Sequence, residues 1–179
     1  MANGMPLSAI TGSSEYMKIF EKLWVSSTMN SETLSLAASL ATLNEYRSNN
    51  CVSHCWKIGE KLFSGWNKIV ESHNLDAKMI GYPIRMTMKC FDRRKLESLP
   101  LKSLILQEMI KRGIFMSPGP SFISYSHTEN DIEKTLIALE DICKFINEKT
   151  LNENYTDLLK GNMPKTIWTL KINPTKKNN

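Results

Sequence analysis

The sequence has no apolar run near the ~20 residues that a membrane-spanning helix requires. Met1–Gly12 has neither a basic stretch nor a long apolar core, so it does not read as a secretory signal. These two absences lead to the expectation of a soluble, cytoplasmic protein with no membrane partner. Histidine is scarce at three residues, and cysteine is limited to Cys51, Cys55, Cys90 and Cys143. Cys51-x-x-x-Cys55 around His54 resembles half of a metal site, but no second pair follows at ligand spacing, so no metal is expected. Cys55 and Cys143 fall on apolar helix faces, where a free thiol acts as a small hydrophobe. Charge of one sign is also in short supply. Lys and Arg total 23 against 18 Asp and Glu, a net +5, and basic residues run together only at Arg93-Arg94-Lys95 and Lys176-Lys177. With no concentrated basic face and no recognisable motif, a nucleic-acid partner is not expected.

What is present is an ordinary globular composition, 41% hydrophobic and 23% charged over 179 residues, enough for one medium domain or a small domain with appendages. Leu7–Thr11 reads as a short buried strand, although nothing before it supplies a pairing partner. Glu15–Leu23 reads as a helix with Tyr16, Ile19, Phe20 and Leu23 on one face. Ser26–Leu43 opens on hydroxyls, Ser26-Ser27-Thr28, and continues as a helix capped by Asn30 or Ser31, with Glu32 in the first turn. Leu36, Leu40 and Leu43 recur at helical spacing between alanines and Ser39. Two readings are open on these residues: a capped, buried helix and nothing more, or a seat for a phosphate or carboxylate at the helix N-terminus. Most capped helices bind no anion, which favours the first.

After a turn at Ser48-Asn49-Asn50, the most regular helix of the chain carries Val52, Cys55, Trp56, Gly59, Leu62, Phe63, Trp66, Ile69 and Val70 on one face. Glycine weakens a helix, so Gly59 on that face predicts a close approach by another element. Trp56, Phe63 and Trp66 at this spacing read as core. His54 and His73, near the helix ends, read as solvated or capping groups. Asn74–Gly81 reads as a connection. Ile84–Phe91 alternates apolar and polar residues, as in a strand covered on one side by helices. Arg85, on the polar face, has the fork that suits a substrate carboxylate, though a solvated strand arginine is the commoner case. Leu101–Arg112 is a predicted helix stopped by Gly113, with Leu101, Leu104, Ile105 and Met109 inward. Short strands are predicted at Ile114–Met116 and Phe122–Tyr125, around a rigid Ser117–Ser121 loop. Thr128 with Asp131 makes a capping box for a helix over Glu129–Asn147. His127 reads as structural at that corner. Ile167–Leu170 is a last strand-like patch before a polar tail.

The order A-N-G-M-P-L-S-A-I-T-G over Ala2–Gly12, a short helix, S-S-T at Ser26–Thr28 and E-T-L-S-L-A-A-x-L-A-T-L from Glu32 resembles class III pyridoxal-phosphate aminotransferases, in their glutamate-semialdehyde aminomutase-like branch. The block F-I-S-Y-S-H-T-E-N-D-I near Ser124–Ile132 matches that family's ending, so the resemblance covers roughly Met1–Ile146. It implies an α/β fold, the C-terminal part of a fold-type-I enzyme. Residues 1–47 would be the edge of the large cofactor-binding domain. Residues 48–150 would be a small α+β domain with a short, mostly antiparallel sheet covered by helices, and residues 151–179 a tail. It implies pyridoxal 5'-phosphate as cofactor, a small-molecule amino donor and acceptor, and a homodimer or an upstream N-terminal subunit as partner. Thr28, and Ser27 beside it, would hold the cofactor phosphate across a subunit interface. The family often has glycine after this threonine, where this chain has Met29-Asn30-Ser31. In that family the Schiff-base lysine lies just before A-N-G-x-P, which precedes residue 1. No catalytic residue is therefore assigned here; Lys18, Lys22 and Lys57 sit on helices. The chain alone is expected to be inactive. The alternative is a non-catalytic α+β module that binds a partner chain, or a degenerate paralogue.

Overall fold

A computed structural model describes residues 1–26, 28–150 and 154–163, and the chain divides into two units, Met1–His54 and a second from Cys55 onward. In the first unit, helix α1 (Ser14–Met17) runs straight into a 3-10 turn over Lys18–Lys22. The single helix read over Glu15–Leu23 is thus two short pieces, and its apolar face is not covered: Tyr16, Ile19 and Leu23 are all exposed. Leu7–Thr11 is not a strand. Ile10 is exposed, and a strand with no neighbour to accept its hydrogen bonds has nothing to hold it extended.

Helix α2 (Thr33–Ser48) runs past Leu43 through Asn44–Arg47 and ends where Asn50 turns the chain at φ 31°. Helix α3 (Cys51–Ser72) follows at once. In the second unit it packs over a three-stranded antiparallel sheet, β1 (Ala77–Tyr82), β2 (Arg85–Cys90) and β3 (Pro120–Phe122), in the order β1-β2-β3. Strand β1 corrects the reading of Asn74–Gly81 as a connection. Its register with β2 runs from Ala77 opposite Cys90 to Tyr82 opposite Arg85, leaving Pro83 and Ile84 as the hairpin turn. The alternation in β2 is as read, with Met86, Met88 and Cys90 buried. The second predicted strand begins two residues early, at Pro120, and Ile114–Met116 forms no strand.

Helix α4 (Leu99–Lys111) is capped by Ser98, whose hydroxyl accepts from the Leu101 amide, and it ends at Gly113 with φ 78°. Its four predicted core residues, Leu101, Leu104, Ile105 and Met109, have no exposed surface. Helix α5 (Glu129–Lys149) begins with the full capping box: the Thr128 amide donates to Asp131, and the Asp131 amide to the Thr128 hydroxyl. Trp66, Ile58, Met79, Leu139 and Ile142 close the core between the helices and one face of the sheet. A 3-10 turn over Tyr155–Leu158 lies along α4, where Gln107 donates to the Leu158 carbonyl. The patch Ile167–Leu170 and the polar tail lie outside the described residues.

Candidate functional site

The predicted site is the hydroxyl-rich turn ahead of α2. Thr28 is exposed in that turn; Ser27 lies outside the described residues. The cap of α2 is neither Asn30 nor Ser31. It is Glu32, whose carboxylate accepts from the Leu34 amide at 2.9 Å and the Ser35 amide at 2.6 Å, and from the Ser35 hydroxyl. Ser31 cannot take that role, because its own backbone turns left-handed at φ 63°. The first amides of α2, which would greet an anion, are therefore engaged by the chain's own carboxylate. A phosphate placed there has to displace or repel it. Thr28, four residues before Glu32, is outside this arrangement and exposed.

Helix α2 also departs from the reading of a buried helix. Leu34, Leu36, Leu40 and Leu43 are exposed, and the buried side is Ser35 and Ser39. The hydrogen bonds from Ser35, side chain first, then those from the Leu34 and Ser35 amides hold the Glu32 carboxyl below its ordinary range. A carboxyl depressed in the folded state stabilises at pH above its unfolded value, and that contribution is lost as pH falls through the folded value. The protection of the Leu34 and Ser35 amides against deuterium exchange, taken relative to an unstructured chain at the same pH, should thus fall on acidification of the wild-type chain. In Glu32→Gln, which accepts without titrating, the acid dependence should flatten; an unchanged profile would remove Glu32 as the cap that matters.

The remaining candidates separate. Arg85 stands on the exposed face of β2 with its guanidinium carbon 5.7 Å from the Phe122 ring centroid. His73, read as solvated or capping, is instead half-buried at the end of α3, with Nε2 2.8 Å from Glu140 Oε1, and its carbonyl accepts from Asn147. His127 is the corner residue it was read to be: its Nδ1 accepts from the Ser124 amide at 3.0 Å and meets the Ser124 hydroxyl at 2.9 Å. Cys90 and Cys143 are buried, which pushes both thiols up to about 12 and leaves them unreactive. An open cavity of about 790 Å³ lies beside β1 and α3 and is lined by residues that include Asn67, Asn74, Asp76, Lys78, Phe91 and Lys95. Its charged groups are taken up in part by the Lys95–Asp76 pair at 2.6 Å. Among the described residues, no group of three or more His, Cys, Asp or Glu is placed to hold a metal, and no helix is long and apolar enough to cross a membrane.

No family model matches the chain. A protein of Alkaliphilus oremlandii named glutamate-1-semialdehyde 2,1-aminomutase is 29% identical over 153 residues, which is 79% of this chain and 35% of that protein. Glutamate-1-semialdehyde 2,1-aminomutase 1 of Staphylococcus carnosus is 25% identical over 162 residues, 83% of this chain and 38% of its own length. Among solved structures, the FumI protein of Sphingopyxis sp. MTA144, in its PLP internal aldimine form, superposes with a TM-score of 0.70 at 22% identity. It matches 82% of this chain and 35% of its own. A glutamate-1-semialdehyde aminomutase of Pseudomonas aeruginosa PAO1 superposes with a TM-score of 0.56 at 16% identity, over 78% of this chain and 31% of its own. The chain spans a little over a third of the length of the curated relatives it matches. It is therefore a homologue of the C-terminal portion of the glutamate-1-semialdehyde 2,1-aminomutases, with the fold of the class III pyridoxal-phosphate transaminases.

Proposed function

We propose that the chain serves as the C-terminal part of a pyridoxal-phosphate-dependent aminotransferase or aminomutase, and that the Schiff-base lysine comes from outside its 179 residues. The observation that carries the proposal is the match of about four fifths of the chain to one portion of these enzymes. The lysines support the second clause. A Schiff-base amine needs a desolvated pocket to lose its proton near neutral pH. Every lysine among the described residues is instead exposed or half-exposed. Several pair with carboxylates at the surface: Lys57 and Lys61 with Glu129, Lys144 with Glu140.

When bound, pyridoxal phosphate supplies the electron sink for amino-group transfer. This chain's part is to hold and orient. Thr28 fits one contact, a hydroxyl donated to the phosphate from a solvent-facing turn, with Ser27 as the second donor in sequence. The α2 amides do not fit that task while Glu32 holds them. Thr28 would then donate its hydroxyl to the phosphate of a neighbouring subunit's cofactor, the role that the family resemblance implies for it.

Mixed with pyridoxal phosphate, the purified chain should show no visible band of a lysine-bound cofactor and no borohydride-trapped adduct. Both should appear when the N-terminal two thirds of a relative is supplied. In that reconstituted enzyme Thr28→Val should weaken cofactor binding by about tenfold, the loss of one hydrogen bond to a charged group. A trapped adduct on a lysine of the isolated chain would overturn the proposal. Failure to reconstitute with any upstream partner would favour the non-catalytic module.

A further inference from the structure

Among the described residues, the helices of the second unit cover one face of the sheet and leave the other open. The antiparallel register places Tyr82 opposite Arg85, and Arg85 opposite Phe122, so the three form one row across all three strands on that open face. All three are exposed, Tyr82 at 70% and Phe122 at 62%. Trp56 extends the row from α3, edge-on to Tyr82 with ring centroids 6.3 Å apart. The guanidinium of Arg85 lies over the Phe122 ring, and among the described residues no carboxylate pairs with it. The strand positions on this face carry two further cations, Lys78 and Lys89, and no acid; Glu97, from beyond β2, pairs with Lys89.

Solitary exposed aromatics are unremarkable, but contiguous aromatics around an arginine are the composition of interface anchors. The row is held rigid by strand pairing and ring contacts, so little freedom would be lost on binding. A small molecule is a poor occupant, because a sheet face offers no concave wall to surround one. An excess of cations with an unpaired guanidinium calls for carboxylate, and the flanking rings call for apolar side chains beside it. We infer that the open face around Tyr82, Arg85 and Phe122 is a docking surface for a polypeptide segment carrying carboxylates between apolar side chains. The inference does not depend on cofactor binding or amino transfer.

The test titrates the purified full chain with three pentapeptides: acetyl-Leu-Glu-Phe-Glu-Leu-amide, its glutamine counterpart, and acetyl-Gly-Glu-Gly-Glu-Gly-amide. NMR signals of the Arg85 guanidinium and Trp56 indole report occupancy. The first peptide should bind and move both signals; the other two should bind more weakly, by about fivefold each, the scale of one exposed charged contact. Arg85→Gln and Phe122→Ser, both at exposed positions, should each reduce the first peptide's binding while leaving the thermal melt unchanged. Equal binding of the glutamate and glutamine peptides, or an Arg85→Gln chain that binds like the parent, would overturn the inference. Sedimentation of the chain alone adds one more outcome. Self-association that Arg85→Gln abolishes would give the face to a second copy and would overturn the peptide assignment.

Discussion

Gly59→Ala should lower the melting temperature of the second unit by about 10 °C, a loss of about 2 kcal/mol. A Cβ at residue 59 would lie 2.4 Å from the Pro83 carbonyl oxygen, 2.8 Å from its carbon and 3.3 Å from the Ile84 nitrogen. All three are backbone atoms of the β1–β2 turn, fixed by the Tyr82–Arg85 pair, so no side-chain rotation relieves the contact. Either α3 lifts away from the turn or the hairpin shifts, and both uncover Ile58 and Leu62, which flank the contact on α3. Alanine regains about 1 kcal/mol of helix propensity, which the clash has to exceed. Gly65→Ala is the internal control on the same helix. Its Cβ would meet Leu136 Cδ1 at 2.6 Å, but that is the far end of a flexible side chain, so propensity and crowding should nearly cancel. Chemical or thermal unfolding followed by tryptophan fluorescence distinguishes the two. Equal stability of Gly59→Ala and the parent would show that the turn yields without cost.

That close approach was legible in the sequence, because a glycine on an apolar helix face has few other uses. The same holds wherever the cause is local. The Thr128–Asp131 box, the Gly113 stop and the alternation of Met86, Met88 and Cys90 each follow from residues within one turn or one strand. Strand β1 was not legible. Ala77 and Gly81 dilute its alternation, and what makes it a strand is its pairing with β2, a contact between segments. Leu7–Thr11 failed in the opposite sense: the apolar residues are there, but among the described residues no partner strand is. In α2 the period of the leucines was right and the burial wrong. The buried side follows Ser35 and Ser39, the first tied to Glu32, and periodicity alone does not show which stripe is covered. Of the candidate site, the placement of Thr28 ahead of a helix was visible in the residues. Its proposed role rests on resemblance, since an exposed threonine has no geometry of its own that calls for a phosphate.

Asn67→Ala should destabilise the second unit by about 2–4 kcal/mol, because one amide side chain completes two backbone bonds at the edge of the sheet. Just before β1, the Asp76 carbonyl accepts from the Phe91 amide just past β2, so by the alternation of an antiparallel pair the groups of Met79 point to the opposite edge of the sheet. There the Met79 amide donates to Asn67 Oδ1 at 2.8 Å, and Asn67 Nδ2 donates to the Met79 carbonyl at 3.2 Å. The side chain thus stands where a neighbouring strand's peptide would, and it closes the part of the edge where another chain could pair. Met79 is 2% exposed, so water cannot readily take over either bond. Alanine removes both partners and adds a modest gain in helix propensity, well below the cost of two buried polar groups left unpaired. Asn67→Asp separates the two bonds. Its carboxylate still accepts from the Met79 amide but faces the carbonyl with like polarity, so the loss should shrink at acid pH, where a protonated carboxyl can donate. Hydrogen exchange makes the mechanism specific: the Met79 amide should lose protection in Asn67→Ala well before its β2-bonded neighbours Lys78 and Ile80 do. Uniform loss across β1 would mean that the side chain merely fills space. Increased self-association of the alanine variant, reversed in the aspartate one, would show the edge itself being closed.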